Sequence, residues 1–112
     1  MGKVKDYQKI IRQVLTPFTE LKYANGDFRN RTVFDEENHR YLLMSDGWQK
    51  DGTRFHGCLI DLEIIDGKVW IQEDNTEEGI ATDLERFGIP KSDIVLGFQP
   101  PNIRPYTEYA AV

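Results

Sequence analysis

His56 and Cys58 stand two residues apart, a spacing that could pair a base with a thiol nucleophile or offer two metal ligands. Asp61 followed by Asp66-Gly67-Lys68 matches the Asp…Asp-x-Lys pattern of nucleases whose carboxylates hold a water-activating cation. Further acidic groups lie at Asp35 to Glu37 and at Glu73 to Glu78. Each has a plainer reading. Residues two apart on a strand share a face, so His56 and Cys58 fall beside Ile60 and Leu62, as a core histidine and a core cysteine. Asp66 and Gly67 read as the two residues of a hairpin turn, which point into solvent. The remaining acidic groups read as a turn and a helix start. His39 sits by a turn with no second ligand at suitable spacing and is expected on the surface. There is no phosphate-binding glycine loop and no nucleophile elbow. The residues therefore nominate no catalytic group, no metal ligands and no cofactor, and they read as a protein that is not an enzyme.

The elements that position these residues follow from periodicity. Val4, Tyr7, Ile10, Ile11, Val14, Leu15, Phe18 and Leu21 recur at three- and four-residue steps, which predicts one amphipathic helix with a kink or restart at Pro17. Asn25-Gly26 ends it and turns the chain. From Phe28 to Asp74, turn signals at Asp35 to Asn38, Asp51-Gly52 and Asp66-Gly67 separate four β-rich runs, an antiparallel meander. Closing both Asp-Gly pairs as two-residue hairpins sets the register. Ile65 then faces Lys68, Ile64 Val69, Glu63 Trp70 and Leu62 Ile71. In the preceding hairpin Trp48 faces Phe55, Met44 Leu59, Leu43 Ile60 and Tyr41 Leu62. A second helix follows, capped by Asn75 or Thr76, with Ile80, Ala81, Leu84 and Phe87 on its buried side. Gly88 ends it, Pro90 prevents its resumption, and Ile94-Val95-Leu96 reads as a short fifth strand. The expected fold is α+β: a four-stranded antiparallel meander flanked by an N-terminal and a C-terminal helix, with the fifth strand and a proline-rich tail.

That register makes both sheet faces apolar, which a sheet with water on one side would not be. One face carries Tyr41, Leu43, Cys58, Ile60, Leu62, Ile64, Val69 and Ile71. The other carries Trp48, Phe55, Leu59 and Trp70, with Leu42, Met44 and several acidic residues. Its expected cover is the C-terminal helix or the tail, "GFQPPNIRPY" from Gly97, in which Pro100, Pro101 and Pro105 limit the entropy lost on docking. Phe98, Ile103, Tyr106 and Tyr109 would supply the contact, and Arg104 would meet Asp61 or Glu63. A partner protein is the alternative cover. Trp48, Phe55, Leu59, Trp70, Phe98, Arg104 and Tyr106 are thus the candidate partner or tail-docking surface.

Composition sets bounds. A chain of 112 residues, 39% hydrophobic and 29% charged, fits one soluble domain over residues 1–112. No apolar run approaches the ~20 residues of a membrane span. The N-terminal MGKVKDYQKIIRQ has charges through its apolar positions, unlike a signal peptide. A lone Cys58 allows no internal disulfide, and the cytoplasm is the expected compartment. A net charge of −5 argues against a grip on duplex DNA, which relies on Lys and Arg neutralising phosphates.

The stretch "WIQEDNTEEGIATDLERFGIPKSDIVLGFQPPNIRPYTEYA" closely resembles the C-terminal half of the XisI family. The resemblance rests on Trp70-Ile71-Gln72, Asn75-Thr76-Glu77, Ile80-Ala81, Gly88-Ile89-Pro90-Lys91, Asp93 to Phe98, Pro100-Pro101, Arg104 and Thr107. A Tyr-x-x-Ile-Ile helix, Asn25-Gly26, Gly47-Trp48 and Gly57-Cys58 extend it over the whole chain. It implies a controlling factor for excision of a DNA element, the fdxN element, by a site-specific recombinase, mainly in cyanobacteria. It also implies a neighbouring small protein, XisH, that looks like a restriction-endonuclease-fold nuclease. It brings no catalytic residues. The expected function is thus a non-enzymatic accessory protein that binds and regulates a XisH-like partner, with homo-oligomerisation open. The alternatives are a small DNA-binding excisionase and, behind it, a hydrolytic enzyme using the acidic groups and His56.

Overall fold

The computed structural model describes residues 2–23 and 26–112, so the Asn25 half of the expected Asn25-Gly26 turn lies outside the described residues. Helix α1, Lys3–Leu15, buries Tyr7, Ile11, Val14 and Leu15 along the expected stripe. Pro17 cannot donate to an α-helical ladder, and at that point the chain tightens into a 3₁₀ segment, Thr16–Glu20. Then come β1 (Gly26–Asp35), β2 (Arg40–Gln49), β3 (Arg54–Ile65), β4 (Lys68–Asp74), helix α2 (Ile80–Arg86) and β5 (Ile94–Leu96). The strands form one five-stranded sheet in the order β1-β2-β3-β4-β5. The first four are antiparallel, and β5 runs parallel to β4. The α+β meander expected from the sequence is the fold.

Both helices pack on one face. The core joins Tyr7, Ile11, Val14 and Leu15 of α1 and Ile80, Ala81 and Leu84 of α2 to Tyr41, Leu43, Ile60, Leu62, Ile64, Val69 and Ile71 of the sheet. Asp66 (φ 50°) and Gly67 (φ 78°) both adopt the left-handed conformation of a type I′ turn. Ile65 accordingly faces Lys68 and Leu62 faces Ile71, as expected.

The other Asp-Gly turn differs, and the difference matters. Only Gly52 (φ 89°) is left-handed there. Gly52 N donates to Gln49 O at 2.9 Å and Gln49 N to Thr53 O at 2.8 Å, which is a three-residue loop, a type I turn closed by a left-handed glycine. Trp48 therefore faces Arg54 instead of Phe55, and Met44 faces Cys58 instead of Leu59. A β-bulge opposite the Leu43/Met44 step absorbs the extra residue, Leu59, and restores Leu43–Ile60 and Tyr41–Leu62. Because strand period is two, a one-residue slip moves every side chain between turn and bulge to the opposite face.

Two corrections concern α2. It starts at Ile80, later than an Asn75 or Thr76 cap would place it, and no side chain of its N-cap residue Gly79 holds it. The Asp74 carboxylate does instead, accepting from Ile80 N at 2.7 Å and from Thr76 N at 3.0 Å. Phe87, expected on the buried side, follows the helix and is exposed.

Asp93 ties α1 to the start of β5. Tyr7 Oη donates to its carboxylate and Lys3 Nζ lies 3.1 Å away. The tyrosine hydrogen bond, with Lys3 beside it, outweighs burial and holds the Asp93 carboxyl below its ordinary range, while burial and Asp93 push Tyr7 up to about 12. A folded-state value below the unfolded one stabilises the fold above pH ~4 and is lost as pH falls through it. Asp93→Asn is expected to cost about 2 kcal/mol at neutral pH and to flatten the acid limb of stability against pH. Urea melts across pH 3–7 check this.

Candidate interaction surfaces

The slip in β2–β3 divides the residues that the sequence grouped on one face. Phe55 lies on the helix-bearing inner face, opposite Gly47, which in turn faces Phe28. The Phe28 ring meets Phe55 edge-on at 6.2 Å and Tyr23 at 5.7 Å. Tyr23, Phe28, Ser45, Gln49, Phe55 and Leu59 line a cleft of ≈ 210 Å³ at that end of the sheet. Asn30 is buried below it and donates to Tyr23 Oη at 2.7 Å and Phe18 O at 2.9 Å, fixing this chain segment against β1. Leu59, the bulged residue, packs against the core.

His56 and Cys58 move the other way. His56 faces Asp46 and is exposed, and Cys58 faces Met44 and is half-buried. The expectation of two core residues is overturned, because the extra residue at Leu59 takes both off the Ile60 face. Burial pushes the Cys58 thiol up, and the Glu73 and Asp61 carboxylates add to the shift, the reverse of what a nucleophilic cysteine needs. His39 is half-buried in its turn, with Nδ1 3.3 Å from Gln8 Nε2. Asp66 is exposed. Asp61 is held by Arg40 at 2.8 and 3.0 Å.

Trp48 remains on the outer face, 53% exposed, with the Arg54 guanidinium 5.1 Å from its ring centre. Beside it Asp46 gathers Arg31 at 3.1 Å, Arg54 at 3.5 Å and Arg29 at 3.7 Å. Burial works to raise the Asp46 carboxyl, but the Arg31 hydrogen bond and the three positive charges prevail, and it lies below the ordinary range. Nothing in the sequence reading singled out this cluster. Its signal was Arg29-x-Arg31, two cations on one face of an edge strand.

The tail lies over the β4–β5 end of this face, yet it does so differently from the expectation. Arg104 stacks 4.9 Å from the Trp70 ring centre and donates to Gln99 O at 3.0 Å and Gly97 O at 3.2 Å. It does not meet Asp61 or Glu63, because it folds the tail back on itself. Val95 is the register partner of Trp70 and is fully buried where Ala110 bridges to it. Ala110 N donates to Ile94 O at 2.8 Å, and Tyr109 Oη donates to Glu85 at 2.7 Å. Burial and then Glu85 push Tyr109 up to about 12. Phe98, Ile103 and Tyr106 were expected to be the contact. They are 49%, 41% and 88% exposed.

Among the described residues there is no cluster of three or more His, Cys, Asp and Glu side chains that could hold a metal, and no helix long and apolar enough to cross a membrane.

A two-helix layer on a five-stranded sheet of this topology is shared with solved proteins. A XisI-like protein from Anabaena variabilis is 32% identical, superposes with a TM-score of 0.84, and matches over 97% of this chain and 99% of its own. The crystal structure of fdxN element excision controlling factor XisI, from the same organism, is 31% identical with a TM-score of 0.80, over 99% of this chain and 100% of its own. No curated protein matches the chain. The family model described as XisI protein matches residues 1–111. The chain belongs to the XisI family.

Proposed function

We propose that this chain is a non-enzymatic controlling protein. It acts in the cytoplasm as one domain over residues 1–112, by binding a nuclease-fold partner of the XisH type in programmed excision of a DNA element or a related system. The observation that carries the reading is 31% identity over 99% of the chain to a protein named as an excision controlling factor. The structure supports it through the tail. That segment is tied down by Arg104 on Trp70, by Ala110 on β5 and by Lys91 on Glu108 at 2.9 Å, while Phe98, Ile103 and Tyr106 stand in solvent. Apolar side chains on a fixed frame bind with little ordering cost, and aromatic anchors dominate protein interfaces.

The alternative, a small DNA-binding excisionase, has Arg29, Arg31 and Arg54 in its favour. Three cations around one carboxylate neutralise few phosphates, and each contact contributes a slope of only about 0.9 to the salt dependence. The test adds the purified chain to a XisH-like partner and follows cleavage or excision of an element-bearing DNA. The chain is expected to change the partner's activity and to have none alone. The doubly substituted Phe98→Ala, Tyr106→Ala chain is expected to keep its melting temperature within a few degrees and to lose the effect. DNA cleavage by the chain alone, or a full effect from the doubly substituted chain, would sink the proposal.

A further inference from the structure

The outer sheet face is a dipole of charge with an apolar middle. Its residues alternate on β1, β2 and β3, and the register orders them in rows. Toward the Gly52 turn lie Arg29, Arg31 and Arg54 with Asp27 and Asp46, three positive against two negative, leaving +1. Toward the opposite end lie Asp35, Asp61, Glu63 and Glu73 with Arg40, Lys68 and Arg104, four negative against three positive, leaving −1. In the middle, the exposed Val33 and half-buried Leu42 share the row of Asp61 and Glu73, and the half-buried Met44 and Cys58 share the row of Arg31.

We propose that this face binds a second copy of this chain, sheet against sheet, about a two-fold axis lying in the interface and crossing the strands. Such an axis reverses strand direction and leaves strand order unchanged. It therefore sets each positive end on the partner's negative end twice over, which is what an isologous interface requires. A uniformly acidic partner would be repelled by the Asp61–Glu63–Glu73 end, and so would a nucleic acid. A uniformly basic partner would be repelled by the arginine end. The self-match does not depend on the XisH-type reading, since the tail knob lies beyond the uncovered β1–β3 rows. Three strands of some ten residues give a footprint of ~15 by ~33 Å, at the small end of specific interfaces. The dimer is thus weak and salt-sensitive, because interfacial charge pairs are screened.

Sedimentation of the full chain from micromolar to near-millimolar concentration tests this. At low salt the dimer fraction is expected to rise with concentration, and at high salt the dissociation constant to increase at least about tenfold. Arg31→Glu with Arg54→Glu gives a face acidic throughout, and Glu63→Arg with Glu73→Arg gives one basic throughout. Each alone is expected to be monomeric, and the equimolar mixture to dimerise. If either doubly substituted chain fails to fold, Val33→Glu, at an exposed position, is expected to abolish the dimer by itself. A wild-type chain that stays monomeric at every concentration in low salt overturns the proposal. So does a dimer that survives in both charge-reversed chains, or a mixture that does not restore association.

Discussion

Removal of residues 98–112 is expected to abolish cooperative folding or to lower the melting temperature by some 20 °C or more. The tail sets Arg104 on Trp70, and its Ala110 bridges to Val95 and completes the edge of the three-residue strand β5. Tyr109 packs against the core and is bonded to Glu85 of α2. Re-exposing ~200 Å² of apolar surface costs about 5 kcal/mol, comparable with the whole stability of a small domain. Phe98, Ile103 and Tyr106 contribute little of this, so Tyr106→Ala is expected to melt within about 2 °C of the parent. A truncated chain that melts like the full one would show that Tyr109, Ala110 and the Arg104 stack are dispensable.

Gly47→Ala is expected to be the most damaging single substitution, at about 3 kcal/mol or more. A Cβ at Gly47 would stand 2.1 Å from Asp27 O and 2.7 Å from Phe28 Cα, both backbone atoms of the neighbouring strand β1. Those atoms cannot rotate aside, so β1 must separate from β2 where Phe28 meets Tyr23 and Phe55. Gly52→Ala provides the contrast. Its Cβ would meet nothing within 4 Å, and only the left-handed φ of 89° opposes it, a cost of about 1 kcal/mol. Thermal melts of the two variants should differ by more than 8 °C. Equal melting temperatures would mean that β1 gives way freely at Gly47.

The fold was legible in the sequence wherever local chemistry dictates geometry. The stripe from Tyr7 to Leu15 can bury only as a helix, Pro17 ends the α-helical ladder, and Asp66-Gly67 supplies the two left-handed residues of a type I′ turn. Asp51-Gly52 offers the same dipeptide and closes differently, with Lys50 joining the loop, because a three-residue turn needs only one left-handed position. Nothing local distinguishes the two. The Leu59 bulge that repairs the register is a compromise between the turn and the Leu43–Ile60 and Tyr41–Leu62 core pairs, and it exists only once the strands have met. From that one residue follow the mistaken burial of His56 and Cys58 and the misplacement of Phe55 and Leu59. Of the candidate surface, Trp48 and Trp70 were placed on the correct face. Of the surface it was expected to cover the tail reaches Trp70 alone, and its side chains' directions were not foreseen either, since Arg104 binds the tail's own carbonyls while Phe98 and Tyr106 stay exposed.

The proposed function has the chain act by being bound, through a tail fixed to the sheet. Titrating the full chain against a XisH-like protein, with Tyr106→Ala and Phe98→Ala in parallel, tests that most directly. The expected result is a saturable complex that the two substitutions weaken at least about tenfold while leaving the melting temperature unchanged. No complex with the wild-type chain, or equal affinity for all three, would contradict it.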